Sequence, residues 1–287
     1  MGKTIDDPAV MRYDTDGRPV YCRRMAPPGL ATAAQLRTER LSVAGLAPAA
    51  WLYYTRLGYR TCALYKRAQA RPIRPLTTRQ RDALAEDRVC AAVWAAEVLA
   101  DPNTVFLDTE TTGLLGGPEP SYAVEIAVVD VSGAPLLDTL LNPRRSIPQE
   151  AIAKHQITDS MVADAPTFSE VLPELTRVLE GRRVIIYNSE FDRGILTTEL
   201  ERHYRVHDPF GASSLWSTHP AACQWMATLR TECAMQRYAE WHGDWDEKRQ
   251  RYRWQRLDGD HRARGDCQAI VPRLRVMAST AFTVAAA

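Results

Sequence analysis

The tightest restriction on the architecture comes from the run Val105 Phe106 Leu107 Asp108 Thr109 Glu110 Thr111 Thr112 Gly113 Leu114, where an apolar, strand-forming stretch leads straight into two carboxylates and a Thr-Thr-Gly turn. Residues two apart on a strand point to the same face, so Asp108 and Glu110 converge on one point. Two acids presented side by side repel each other unless a cation lies between them. Their hard oxygen donors suit Mg²⁺ or Mn²⁺ rather than zinc. The turn that follows lets backbone approach a ligand. Asp244 and Asp246 repeat the spacing, so placement at the end of an apolar strand, not spacing alone, distinguishes the first pair.

The surrounding sequence supplies the scaffold. Thr77 and Gln80 form a capping-box pattern before an Ala-rich helix of about 20 residues that ends at Pro102. Thr104 to Asp108, Ala123 to Val131 and Pro135 to Leu141 read as three consecutive strands, with Ser132 and Gly133 as the turn between the last two. After Ser169, the residues Val171, Leu172, Leu175, Val178 and Leu179 recur at helical spacing. Arg183 to Tyr187 is a short buried strand, and Ser189 caps a helix reaching about Tyr204. The order β-β-β-α-β-α predicts an α/β domain with a mixed sheet.

Three further residues complete a constellation. Asp192 follows the strand Val184 to Tyr187 and falls in the first turn of the next helix, where the helix dipole favours a carboxylate. His261 precedes Asp266 by five positions, a spacing that can place a general base beside a metal ligand. His203 and Asp208 share that spacing but read as a helix end and surface turn before Pro209. The later pair begins the apolar helical pattern Cys267, Ile270, Val271, Leu274, in which Pro272 predicts a kink.

Taken together, Asp-x-Glu, Asn188-x-x-Phe191-Asp192 and His261-x4-Asp266 resemble the motifs of the DEDDh 3'-to-5' exonucleases of the DnaQ-like, RNase H-like superfamily, across about residues 103–280. Further similarity lies in Ala151 to Thr158, in Ala165 to Phe168, and in Cys233 Ala234 Met235. Gln156 departs from the Gly usual in the family, and Tyr187 and Ser189 flank Asn188 where His and Ala are common. The resemblance implies a five-stranded mixed sheet with helices on both faces. It implies two Mg²⁺ ions, with Mn²⁺ able to substitute, held by Asp108, Glu110, Asp192 and Asp266, with Asp108 bridging and His261 deprotonating the attacking water. It also implies that Thr111, Thr112 and Leu114 border the terminal nucleotide, together with His155, Asn188 and Phe191. The expected reaction is hydrolysis at the 3' end of DNA, preferably single-stranded, releasing nucleoside 5'-monophosphates. The alternatives are trimming of RNA ends and a non-catalytic nucleic-acid-binding adaptor on the same fold.

The rest of the chain reads differently. Residues 1–28 carry no sustained period and read as an irregular arm. Residues 29–100 read as a small basic, mainly helical module and connector helix, with a hairpin around Gly58. Residues 101–280 form the exonuclease domain and 281–287 a tail. Between Arg18 and Arg81 there are 13 basic residues and a single acid, Glu39, although the net charge of the whole chain is only +1. Such a stretch favours an anionic partner, and extra nucleic-acid contacts from this module are the expectation. From Trp241 to Trp254, aromatic residues interleave with Lys248, Arg249, Arg251 and Arg253 in a pattern that can guide a single strand or simply pack. Six dispersed cysteines without a Cys-x-x-Cys pair read as free thiols. No bilayer-length apolar run or signal-peptide order is present, which predicts a cytoplasmic protein without membrane partners. The segment Met277 to Ala287 shows no clamp-binding peptide, so no polymerase or clamp partner is expected.

Overall fold

The computed structural model describes residues 9–22, 25–54, 60–72, 77–117, 119–207, 218–247 and 249–284. The chain divides into two compact units, Met1–Thr77 and Thr78–Ala287.

The first unit is built mainly of strands. Its elements are β1 (Val10–Tyr13), β2 (Pro19–Cys22), β3 (Leu30–Thr32), α1 (Ala33–Thr38), β4 (Leu41–Ser42), β5 (Ala50–Tyr54), β6 (Arg60–Lys66), a 3₁₀ turn at Arg67–Gln69 and β7 (Arg71–Pro72). Five of the strands form one sheet in the order β1-β2-β5-β6-β3, and β4 pairs with β7. Two expectations are corrected here. The arm assigned to residues 1–28 contributes β1 and β2, and the module is not mainly helical, since α1 is its one described α-helix. The physical reason lies in cross-strand pairing: Trp51, Leu52 and Tyr53 suit a pleated surface and pair with Ala63, Cys62 and Thr61, while Val10, Tyr21, Ala50 and Leu64 form a small core. The α1 helix opens with a capping box between Thr32 and Gln35. The hairpin expected around Gly58 falls on residues 55–59, outside the described residues.

The second unit begins with the expected helix, α2 (Thr78–Ala100), which therefore belongs to this unit and is not a separate connector. There follow β8 (Thr104–Thr111), β9 (Ala123–Asp130), β10 (Pro135–Leu140), α3 (Gln149–His155), α4 (Asp159–Val162), α5 (Phe168–Leu179), β11 (Arg183–Ile186) and α6 (Ser189–His207). The chain continues through α7 (Pro220–Thr228), β12 (Arg230–Cys233), α8 (Ala234–His242), the short hairpin β13 (Trp245–Asp246) and β14 (Arg251–Tyr252), and α9 (Ala263–Val284). The sheet order is β10-β9-β8-β11-β12. The first three strands are antiparallel and the last three parallel, so the sheet is mixed, with β8 at its centre.

Alternation along the central strands divides the core into two layers. Val105 and Leu107 join Ile126, Val128, Val184 and Ile186 against α5, α6 and α7. Phe106 joins Ala127, Val129 and Ile185 against α2, α8 and α9. Both faces of β8 are covered, which is why it reads as a nearly continuous apolar run. The helix α5 is capped by Thr167 with Glu170. The helix α6 already includes Ser189 as its first residue. The helix α9 runs on through Pro272 to Val284, past the expected boundary at 280. Among the described residues, no helix is long and apolar enough to cross a membrane.

Candidate active site

Strand periodicity puts Asp108 and Glu110 on the same face as Phe106, the face over which α9 lies. The first turn of α9 carries Asp266, and the loop before it carries His261. Oxygen and nitrogen donors of Glu110, His261 and Asp266 lie within 4.8 Å of one another. Asp192 arrives from the other side: β11 runs parallel to β8, and the first turn of α6 places this acid at the carboxyl end of the sheet, where ligands of open α/β sheets characteristically bind. Asp192 is only 3% exposed. Its Oδ1 accepts from the Thr109 amide at 3.0 Å and the Thr109 hydroxyl at 2.7 Å. The five sequence-derived residues thus come from β8, α6 and the start of α9.

The electrostatics of this cluster are those of crowded acids, relieved in part by Lys154, which lowers both Glu110 and Asp266. Among the described residues none of the four acids forms an ion pair. Burial, then the neighbouring Asp192, Asp266 and Glu110, raises the Asp108 carboxyl well above the ordinary range. Glu110 is pushed to about 8, by burial first and then by Asp266, Glu125 and Asp192. Asp192 rises to about 7 through burial, against the lowering effect of its hydrogen bonds to Thr109. Asp266 is also raised by burial. Four carboxylates that resist ionising together, with one imidazole beside them, are a donor set suited to hard divalent cations. The residues therefore fit the metal that the sequence resemblance implies.

The loop into α9 is tightly specified. The His261 amide donates to Asp266 Oδ1 at 3.2 Å, and His261 itself has φ of 61°, a left-handed conformation that non-glycine residues adopt at a cost of about 1–3 kcal/mol. A Cβ on Gly259 would stand 1.8 Å from Asp266 Oδ1, so any side chain there would push that carboxylate from its place.

One functional neighbour escapes a reading of the sequence. Glu125 on β9 lies directly opposite Glu110 and is 2% exposed. Its carboxylate accepts from Arg262 Nε at 3.1 Å, from a terminal nitrogen of the same guanidinium, and from the Ala263 amide at 2.8 Å. Glu125 thus fastens the residues just after His261 to the sheet. Its position inside an apolar strand gave no signal; only the β8–β9 register brings it here.

The six residues expected at the substrate occupy varied environments. Leu114 is 75% exposed, whereas Thr111 and Thr112 are buried. The Thr111 hydroxyl donates to the Gly113 carbonyl at 2.7 Å, and the Thr112 hydroxyl accepts from the Tyr122 amide at 3.0 Å. Asn188 is exposed and Phe191 packs partly into the core. His155 is buried, and burial holds its imidazole below the ordinary histidine value. Its Nδ1 accepts from the Ile157 amide at 3.0 Å, which leaves Nε2 protonated to donate to the Thr111 carbonyl at 3.3 Å. His155 therefore steadies the loop after Glu110. Gln156 has φ of 61°, which accounts for the glycine usual at this position. Its side-chain amide donates to the Ile152 and Ala153 carbonyls at the end of α3. His203 of α6 bonds Ser169 of α5, while Asp208 lies outside the described residues.

Similarity to known proteins falls in the second unit. The family described as Exonuclease (RNase_T) matches residues 105–272. An uncharacterized exonuclease, CP81, of Escherichia phage 186 is 31% identical over 180 residues, covering 58% of this chain and 84% of that protein. The DNA polymerase III subunit epsilon of Escherichia coli (strain K12) is 35% identical over 103 residues, 33% of this chain and 42% of that subunit. Among solved structures, Exonuclease X in complex with 5' overhanging duplex DNA has 26% identity and a TM-score of 0.34, covering 62% of this chain and 93% of that one. With the family matched over more than half of its length, the chain belongs to the DnaQ-like exonucleases, which are metal-dependent hydrolytic nucleases.

Proposed function

We propose that this protein is a metal-dependent 3'-to-5' exonuclease that removes nucleoside 5'-monophosphates from the 3' end of DNA, preferably single-stranded. The observation that carries the reading is the convergence of Glu110, His261 and Asp266 within 4.8 Å beside Asp108 and Asp192, with none of the four acids in an ion pair among the described residues. In this reading Asp108, Glu110, Asp192 and Asp266 hold two Mg²⁺ ions, for which Mn²⁺ substitutes. When bound, such ions stabilise charge on the attacking and leaving oxygens of an in-line displacement.

The chain's own residues perform the rest. His261 accepts a proton from the attacking water. The water oxygen bonds to phosphorus, the bond from phosphorus to the 3' oxygen breaks, and that oxygen takes a proton from solvent to become the new 3'-hydroxyl of the shortened strand, while His261 returns its own proton to solvent. Backbone at Thr111 and Thr112 borders the terminal 3'-hydroxyl and Leu114 lies against the base, supported from behind by His155. Asn188 and Phe191 complete the pocket. The basic first unit adds contacts to the nucleic acid. The enzyme acts in the cytoplasm, independently of the membrane and without a polymerase or clamp partner.

The test uses single-stranded DNA and matched RNA, each labelled at the 5' end, with Mg²⁺ and an EDTA control. Progressive shortening of the DNA with release of 5'-monophosphates supports the proposal. Preference for RNA moves the same chemistry to RNA ends. Binding of either strand without metal-dependent cleavage rejects catalysis in favour of an adaptor.

A further inference from the structure

The segment between β14 and His261 separates the aromatic residues of the Trp241-to-Trp254 stretch into two kinds. Trp241 is structural: its indole nitrogen donates to Thr280 at 2.9 Å and its ring stacks on Tyr238. Trp245 and Tyr252 meet edge to face across the small hairpin, and the Tyr252 hydroxyl is engaged by Asp87. Arg253 is likewise committed, paired with Asp246 at 2.7 Å and Asp244 at 3.5 Å. Trp254 differs. It is 56% exposed and is the one tryptophan among the described residues left largely in solvent. The Arg251 guanidinium lies 4.8 Å from the centre of its ring, and Arg256, two residues on, is exposed.

This outward strip is held firmly from beneath. The Tyr187 hydroxyl donates to the Gln255 carbonyl at 2.8 Å, the Arg253 amide donates to the Asp244 carbonyl at 2.8 Å, and Arg273 donates to the Leu257 carbonyl and pairs with Asp258. A large aromatic ring presented to water on a backbone anchored on both sides is ready to bind without an ordering cost. The sequence from Arg249 to Arg256 holds four arginines and no acid, which suits an anionic strand. Every base has a face that stacks on indole, and arginine neutralises phosphate and itself stacks on aromatic rings. Trp254 lies seven positions before His261, so their Cα atoms are within about 25 Å of each other even if the chain between them is fully extended.

We infer that Trp254, flanked by Arg251 and Arg256, is a stacking platform for single-stranded nucleic acid on the 5' side of the nucleotide being removed. The inference rests on the exonuclease reading above. It assigns to this strip the retention of longer strands and leaves the chemical step to the acids and His261.

The experiment compares a 16-residue oligothymidylate with the p-nitrophenyl ester of thymidine 5'-monophosphate, which presents the reacting phosphate without a preceding strand. Trp254→Ala is expected to raise KM for the oligonucleotide about tenfold, the size of one lost base–aromatic stack, with the ester kinetics unchanged. Trp254→Phe should retain most of the affinity. Arg251→Ala and Arg256→Ala should each reduce the slope of log affinity against log salt by somewhat less than one. Equal effects on both substrates, or no effect on the oligonucleotide, would overturn the platform. Should wild type cleave neither substrate, the exonuclease reading fails. The platform is then judged by binding of fluorescein-labelled oligothymidylate in EDTA: weaker binding by Trp254→Ala supports it and equal binding rejects it. Because Trp254 is exposed, an unchanged melting temperature is expected for each variant.

Discussion

At the scale of single residues, the site depends on groups that never touch a ligand. Glu125 is buried opposite Glu110 and ties both the Arg262 guanidinium and the Ala263 amide to the sheet. Replacing it with glutamine keeps its volume but removes the charge that Arg262 faces. Because the Arg262 side chain is 40% exposed, solvent shares the loss, and a destabilisation of about 1–2 kcal/mol is expected for Glu125→Gln. The larger effect falls on catalysis, since the residue next to Arg262 is His261. We expect kcat to fall about 10- to 100-fold with KM little changed, the scale of an ångström-sized misplacement of a reacting group. Double-mutant kinetics check this: in a His261→Ala background, Glu125→Gln should cost almost nothing further. Full additivity would mean that Glu125 does not act through His261.

At the scale of elements, the loop Asp258–Asp266 joins the sheet's acids to α9 and brings Gly259 against the Asp266 carboxylate. Gly259→Ala drives a methyl group into Asp266 Oδ1, so the variant is expected to lose at least about 100-fold in kcat and to bind Mn²⁺ more weakly. Normal kinetics would show that the carboxylate has space the geometry denies. How far such elements can be read from sequence depends on whether their partners are local. The strands β8, β9 and β11 each carry an apolar run buried on both faces, and their pattern announces them. The helix α9 is equally legible from Cys267, Ile270 and Leu274. By contrast, β5 and β6 carry Trp51, Leu52, Tyr53 and Leu64 among arginines, alanines and leucines that also suit helices. Their strand character comes from pairing with each other and with β2 and β3, which composition does not display. Glu125 and Gly259 were unreadable for the same reason: each acquires its role from a residue distant in sequence or brought near by a tight turn.

At the scale of the whole molecule, the second unit holds a cluster of acids whose protonation is linked to folding. Without metal, Glu110 titrates near 8 and Asp192 near 7 in the folded protein, against about 4 in an unfolded chain. The folded state therefore binds more protons across that window. Stability from these groups is fully present below about pH 4 and is lost as pH rises towards 8. Metal ions compete with those protons, so they bind more tightly at the upper end. The rise in melting temperature on adding Mg²⁺ should accordingly be larger at pH 8 than at pH 6, and smaller in Glu110→Gln; equal gains at the two pH values would contradict this linkage.

The decisive comparison is between wild type and Asp108→Asn, measuring Mn²⁺ binding by titration calorimetry alongside hydrolysis of a single-stranded oligonucleotide. Two bound ions per wild-type chain are expected. In the variant, metal binding should weaken and hydrolysis should fall by at least about 10³-fold, equivalent to about 4 kcal/mol of barrier, with the fold intact by melting temperature. Hydrolysis by Asp108→Asn at the wild-type rate would show that the acids on β8 are not the catalytic centre.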